Sequence, residues 1–248
     1  MTIGLLNPGE MGAAIGGALR SRGHDVAWAS AWRSEDTRRR AVEAGLRDLG
    51  TVGGLAAECD TILSVCPPHA APDVARSVGD FDGLYVDANA VSPATVRGIA
   101  AGLATLVDGG IVGGPPDPRL YLSGDEALRV AELFEGSPVE ARVIAGGVGA
   151  ASALKMTYAA WTKGTGAMLL AIREVACAEG VEQALLAEWA ESLPGLEERW
   201  ERARGSADAK GWRWVGEMEE IAATFEAAGE PGGFHTAAAE VYRRRRAR

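Results

Sequence analysis

The 248-residue chain is poor in several things, and each shortage excludes a class of protein. Its three cysteines, Cys59, Cys66 and Cys177, are odd in number, far apart and without C-x-x-C spacing. That excludes a disulfide framework and a zinc ribbon, so a reduced, cytoplasmic setting and no metal site are expected. No apolar run approaches the roughly 18–20 residues that span a bilayer, and no membrane association is expected. Thr2-Ile3-Gly4-Leu5-Leu6 enters a strand-like run at once, so no signal peptide is expected. Basic charge is short as well: 25 Lys and Arg against 34 Asp and Glu give a net charge of −9 at pH 7. Nucleic acid is not an expected partner of such a chain. The one basic run, Arg243 to Arg246 with Arg248, reads as a solvated helix end favoured by the helix dipole. Lysine is scarcest of all, with only Lys155, Lys163 and Lys210 present.

What is present is ordinary for a globular protein: 47% apolar residues and 24% charged. Short apolar runs alternate with small-residue helical stretches over residues 1–146. Strands are expected at Thr2–Leu6, Asp25–Ala29, Thr61–Cys66, Leu84–Asp87, Thr105–Val112, Leu120–Ser123 and Val139–Ile144. Helices are expected near Met11–Arg22, Glu35–Ala44, Pro72–Val78, Pro93–Leu103 and Glu126–Phe134. This alternation predicts an α/β fold, an N-terminal doubly wound parallel sheet of the Rossmann type. From Val148 to Glu179 the pattern becomes one long helix without proline, about 48 Å at 1.5 Å per residue. Further helices are expected at Glu182–Ser192, Gly195–Ala203, Trp212–Ala228 and Phe234–Arg246, with Gly205–Gly211 as a loop. Residues 147–248 are thus read as an all-helical domain. A long helix apolar nearly all round needs a helical domain or a second subunit about it, so a homodimer is expected.

Asn7-Pro8-Gly9-Glu10-Met11-Gly12 lies between the first strand and the first helix. Glycines in such a turn let the backbone approach a pyrophosphate, whose charge the helix N-terminus meets. Asparagine stands where G-x-G-x-x-G has its first glycine, and asparagine tolerates the left-handed conformation. In an N-terminal βαβ unit the turn reads as a dinucleotide site. An NAD site has an acid at the end of the second strand, on the ribose 2′-hydroxyl. Here the strand runs into Ala31-Trp32-Arg33-Ser34, with no acid. Arg33 and Ser34 suit a 2′-phosphate, which favours NADP(H) over NAD(H). The bland alternative is a solvated arginine beside an N-cap serine.

Together with this turn, Asp87-Ala88-Asn89-Ala90-Val91-Ser92-Pro93, Gly149–Lys155, Trp212–Ala222 and Gly233-Phe234-His235 carry a resemblance over essentially the whole chain. The sequence resembles the β-hydroxyacid dehydrogenase superfamily, which includes 6-phosphogluconate and 3-hydroxyisobutyrate dehydrogenases and, more distantly, imine reductases. It looks closest to a branch with a phosphogluconate-dehydrogenase-like helical C-terminal domain. The resemblance implies that Lys155, on the interdomain helix, is the general acid/base. Burial near an apolar helix lowers a lysine pKa towards proton-transfer range, while snorkelling to the surface is the structural alternative. It implies that Asn89 and Ser92 border nicotinamide and substrate, although Ser92 before Pro93 also reads as a helix cap. Val65, Cys66 and Pro67 are expected to pass the cofactor through backbone contacts, Cys66 as a small filler rather than a nucleophile. Lys163 is expected at the surface or against a partner chain.

Two positions depart from the family pattern. Val112, followed by Gly113 and Gly114, stands where hydroxyacid members carry a serine that holds the substrate carboxylate. Tyr158 and Ala159 stand where they carry asparagines after the catalytic lysine. Both losses remove polar groups that a 3-hydroxy acid would use. Tyr158, one turn beyond Lys155, reads either as a donor to a developing alkoxide or amine or as packing. His235 reads either as a substrate contact or as packing. The activity implied is NADP(H)-dependent hydride transfer to or from a small carbonyl or hydroxy compound. Imine reduction and a catalytically silent NADP-binding sensor or scaffold are the alternatives.

Overall fold

The structure, a computed structural model, describes residues 1–246; Arg248 of the basic run lies outside the described residues. Two compact units form, one covering Met1–Lys155 and the other beginning at Met156.

The first unit is built on an eight-stranded sheet. Its strands are β1 Thr2–Leu6, β2 Asp25–Trp28, β3 Arg47–Asp48, β4 Thr61–Ser64, β5 Leu84–Asp87, β6 Thr105–Val112, β7 Arg119–Ser123 and β8 Glu140–Val143. They lie in the order β3-β2-β1-β4-β5-β6-β7-β8. Helices α1 Glu10–Ser21, α2 Glu35–Glu43, α3 Val52–Glu58, α4 Ala71–Arg76, α5 Pro93–Ala100 and α6 Ala127–Glu132 connect them. Side chains alternate across each strand, so each strand feeds two cores. Ile3 and Leu5 of β1 pack with Ile15 and Leu19 of α1 and Val130 of α6. Leu6 packs on the opposite face with Leu55 of α3 and Val96 and Ile99 of α5. Helices on both faces make the sheet doubly wound, as the alternation of elements predicts.

Three features of this unit differ from expectation. The apolar pattern predicts neither strand β3 nor helix α3. β3 has only two residues, both exposed, and its Arg47 side chain is held by Asp25 at 2.6 Å and Glu58 at 2.5 Å. α3 has two glycines and an apolar, small-residue composition without a polar face; Thr51 caps it by accepting from the Gly54 N–H at 3.0 Å. The sheet is not parallel throughout, because β7 runs antiparallel to β6. The connection over residues 113–118 is too short for a parallel crossover.

Helix α7, Ala150–Ala159, begins in the first unit, and the second unit contains α8 Thr165–Ala178, α9 Glu182–Ser192, α10 Leu196–Ala227 and α11 Gly233–Arg246. The expected long helix stays helical across residues 150–178 but is not uniformly α: Ala160–Gly164 form a π-helical turn. Such a turn misaligns carbonyls, and hydroxyls take them up. Thr162 Oγ1 donates to the Tyr158 carbonyl at 3.3 Å and Thr165 Oγ1 to the Trp161 carbonyl at 2.5 Å. Tyr242 Oη of α11 donates to the Lys163 carbonyl at 2.6 Å. Lys163 itself is not a surface contact, contrary to expectation. Its ammonium is largely buried, pairs with Glu217 of α10, and lies 5.5 Å from the Trp214 ring centre.

The loop expected at Gly205–Gly211 does not exist; α10 runs through it for 32 residues. Each interior glycine costs about 1 kcal/mol relative to alanine. Ala207 and Gly211 are buried, and a Cβ on Gly211 would stand 3.4 Å from Tyr242 Cδ1. The small residues there let α11 approach, and that packing overrides local propensity. Among the described residues no helix is long and apolar enough to cross a membrane.

Candidate functional site

The site lies at the carboxyl ends of β1, β4 and β5, where the strand order turns back on itself. Open α/β sheets bind their ligands at that place. Asn7 follows β1 with φ +64°, the left-handed conformation that the sequence reading allows for asparagine at this position. Its carbonyl accepts from the Gly9 N–H at 2.7 Å and closes the turn tightly. A Cβ on Gly12 would sit 2.5 Å from that same carbonyl, so only glycine lets α1 approach the turn. Nothing lies within 4 Å of where a Cβ on Gly9 would stand, and no side chain caps the N-terminus of α1. The turn therefore offers open space in front of the N-terminus of a 12-residue helix. That arrangement fits a pyrophosphate. Pro8 is buried behind the turn, and Glu10 and Met11 open the helix.

Arg33 follows β2. Its guanidinium is half-buried, and Nε has no hydrogen-bond partner. Burial pulls its pKa below the ordinary value, partly offset by the nearby Cys66. A buried arginine nitrogen without a partner suits an incoming anion. Ser34, by contrast, is committed as the cap of α2, accepting from the Thr37 N–H at 3.3 Å. No acid occupies the end of β2, where residues 29–32 read Ala-Ser-Ala-Trp. The residues present thus fit a dinucleotide carrying a 2′-phosphate.

Asn89, after β5, is 2% exposed and ties the ends of β4 and β5 together. Its Oδ1 accepts from the Cys66 N–H at 2.6 Å. Its Nδ2 donates to Ser64 Oγ at 3.1 Å and to Asp87 Oδ2 at 2.9 Å. Three of the four hydrogen bonds available to the amide are used within the protein. Asn89 fixes the backbone at Cys66, and the neighbouring Val65 Cβ lies 3.7 Å from where a Cβ on Gly12 would stand. Burial pushes the Cys66 thiol up to about 12, which leaves it protonated and a poor nucleophile. Ser92 is buried and caps α5, accepting from the Thr95 N–H at 3.2 Å.

Lys155 lies in the second turn of α7 and is half-buried. The helix passes directly over β6 at Gly110, where a Cβ would meet Lys155 Cβ at 2.9 Å and the Ala151 carbonyl at 2.8 Å. A residue that sequence reasoning did not single out holds this helix in place. Asp108, fully buried in the middle of β6, accepts at Oδ2 from the Gly149 N–H at 2.9 Å and the Ser152 N–H at 3.0 Å. Its Oδ1 accepts from Ser152 Oγ at 2.6 Å, and Ser123 Oγ bridges Asp108 to the Ala151 N–H. One carboxylate thus caps α7 three residues before Lys155. The signal available was an aspartate inside the apolar run Thr105–Val112.

Val112 is buried in β6, and Gly113, at φ +89°, and Gly114 are exposed beyond it. In the second unit Tyr158 is exposed on α7, while His235 is buried near the start of α11. The His235 ring stacks edge-on against Phe225 at 4.4 Å and stands over Gly164 of the π turn. His235 and Phe225 border a mainly apolar cavity of about 520 Å³, shared with Trp161, Met168, Phe234 and Val241, and Tyr158 does not line it.

The fold and site together define a two-domain protein of the dinucleotide-binding, hydroxyacid-dehydrogenase type. Comparison with known proteins agrees. Residues 176–245 match the profile of a domain family described as a domain of unknown function (DUF1932). A protein of Methanothermus fervidus, described as an uncharacterized 28.5 kDa protein in the 7S RNA 5′ region, is 33% identical over 192 residues, 75% of each chain. A conserved protein whose structure was described as similar to 3-hydroxyacid dehydrogenases is 27% identical, with a TM-score of 0.72 over 100% of this chain and 97% of that one. Mycobacterium tuberculosis 3-hydroxyisobutyrate dehydrogenase, solved with L-serine, superposes with a TM-score of 0.71 at 19% identity over 98% and 92% of the chains. An Aspergillus terreus reductive aminase, solved with NADPH, does so at 0.60 and 17% over 98% and 92%. The last two likenesses are of fold alone. The chain belongs to the family of the Methanothermus protein, a branch of the β-hydroxyacid dehydrogenase superfamily whose helical domain carries DUF1932.

Proposed function

We propose that the protein is an NADP(H)-dependent oxidoreductase acting on a small carbonyl or hydroxy compound. The observation that carries the cofactor is the turn at Asn7–Gly12, closed to any side chain at Gly12 and open in front of Gly9. Arg33, with its unpartnered Nε and no competing acid, supports the 2′-phosphate. The bound nicotinamide supplies or receives the hydride. Asn89 holds the Val65–Pro67 strip along which the cofactor lies, as a positioning residue.

Lys155 is the proton carrier in this reading. Its ammonium gives a proton to the substrate oxygen as the carbonyl is reduced and takes it back in the oxidative direction. Asp108 supports this role by fixing the helix turn from which Lys155 projects. Ser92, Gly113, Gly114, Tyr158 and His235 are proposed to contact the substrate. Val112 contributes a buried methyl surface and no hydroxyl, and this favours a substrate less dependent on a carboxylate clamp than a 3-hydroxy acid. The same observation supports the second reading, reduction of a C=N bond. Residues 1–146 are the proposed NADP-binding domain and 147–248 the substrate and dimerisation domain. A homodimer is supported by Met168, Ile172 and Val175, exposed at i, i+4 and i+7 on α8. The three unpaired cysteines fit a cytoplasmic enzyme.

The test is NADPH oxidation against a panel of keto acids, ketones and cyclic imines, followed by Lys155→Ala with the best substrate. A fall in kcat of about 10²–10⁴-fold, with NADPH affinity kept, is expected. Unchanged turnover removes Lys155 from the mechanism. Tight NADPH binding with no substrate turned over supports the silent sensor instead.

A further inference from the structure

Trp32 is the most anomalous side chain in the first unit. Its indole is 100% exposed, and its backbone lies at φ +63°. Only one other non-glycine residue among those described, Asn7, adopts a positive φ. A bulky residue there is strained, and a wholly exposed tryptophan contributes nothing to a core that would offset the strain. The turn itself is well built. The Arg33 N–H donates to the Ser30 carbonyl at 3.2 Å, which makes Ser30-Ala31-Trp32-Arg33 a reverse turn with its positive φ at the third position. That position in a type II turn normally takes glycine or asparagine. Ala31 N–H donates to the Gly50 carbonyl at 2.8 Å, and the Arg38 guanidinium donates to the carbonyls of Ser30 at 3.4 Å and Arg33 at 3.3 Å. Hydrogen bonds on both sides pin a turn that displays a naked indole.

The place of this turn says what the indole meets. It follows β2 directly, next in sequence to Arg33, whose buried Nε faces the Cys66 and Asn7 side of the phosphate turn. In a Rossmann sheet the end of the second strand borders the adenosine half of the dinucleotide. We infer that Trp32 is the adenine platform of this protein, its indole face stacking on the purine while Arg33 takes the 2′-phosphate. The inference rests on the cofactor reading above and adds to it a residue that sets adenosine affinity. An aromatic face suits this task because every purine offers a π-surface to stack on.

Trp32→Gly is the informative variant, since glycine relieves the strain at φ +63° while removing the indole. Calorimetric titration of the full chain with NADPH and with adenosine 2′,5′-bisphosphate gives the readout. The expected result is a loss of roughly five- to a hundred-fold in affinity for both ligands. Thermal stability of the unliganded variant stays equal to the parent's or rises. Trp32→Phe regains most of the affinity. Equal affinity of parent and Trp32→Gly for NADPH overturns the inference and leaves the cofactor reading intact. So does a loss for NADPH that is not seen with adenosine 2′,5′-bisphosphate. Absence of NADPH binding by the parent overturns both.

Discussion

The Asp108 carboxylate in β6 accepts from both the backbone N–H and the hydroxyl of Ser152, at 3.0 and 2.6 Å, and so fastens helix α7 to the sheet. Lys155 is three residues further along that helix. The position of Lys155, the proposed proton carrier, is thereby tied to one buried acid outside the phosphate turn.

Asp108→Ala leaves four donors without their acceptor in a buried site. Hydrogen bonds to a charged group are each worth about 1.5–3 kcal/mol. A destabilisation of at least about 3 kcal/mol is expected in urea unfolding. Ser152→Ala, which removes only the hydroxyl bond, costs about 1.5–3 kcal/mol by the same scale. In the Ser152 variant kcat falls while NADPH affinity holds, because only the helix bearing Lys155 loosens.

Gly12→Ala sets a methyl 2.5 Å from the Asn7 carbonyl. Neither backbone can retreat without opening the turn. NADPH binding drops at least about tenfold, a 1.4 kcal/mol effect, and the melting temperature falls with it. Gly9→Ala, with nothing within 4 Å in the unliganded protein, keeps its melting temperature and loses affinity alone. Differential scanning calorimetry and titration of the two variants check this contrast.

Cys66 holds its proton up to about pH 12, whereas Cys177 is exposed. At pH 8, iodoacetamide labels Cys177 first, and mass spectrometry finds Cys66 unmodified in the native protein. Alkylation of Cys66 at a comparable rate contradicts its burial beside Asn89.

Burial also lowers the His235 pKa below its ordinary value of 6.5. The folded state therefore prefers the neutral ring, and the unfolded chain takes up a proton at higher pH than the native protein. Stability is fully present above about pH 6.5 and is lost as pH falls from there through the lower native value. The slope is at most about 1.4 kcal/mol per pH unit for one proton. Urea unfolding between pH 7.5 and 5 reports it, and His235→Phe flattens that component.

Much of the fold is legible in the sequence because parallel strands and their helices are written in local patterns. Ile3 and Leu5 face one core and Leu6 the other by simple alternation. The glycine turn and Arg33 stand out for the same reason, each having local context that marks it, whereas Lys155 is singled out only through the family resemblance of Gly149–Lys155. What local pattern misses is decided by tertiary contact. Gly205 and Gly211 look like a loop, yet α11 packs against Gly211 and keeps α10 whole. The π turn at Ala160–Gly164 rests on hydroxyls of Thr162, Thr165 and the distant Tyr242. Asp108 finds Ser152 across 44 residues of sequence. Trp32 stands out only when its exposure and backbone angle are seen together.

The central claim is that Asn7–Gly12 and Arg33 form a site for a 2′-phosphorylated dinucleotide. Its most direct test is calorimetric titration of the purified protein with NADPH and with NADH, repeated on Arg33→Ala. One NADPH per chain, bound at least about tenfold more tightly than NADH, with that preference lost in Arg33→Ala, is the predicted result. Failure to bind either dinucleotide, or equal affinity for both that Arg33→Ala leaves unchanged, contradicts the account.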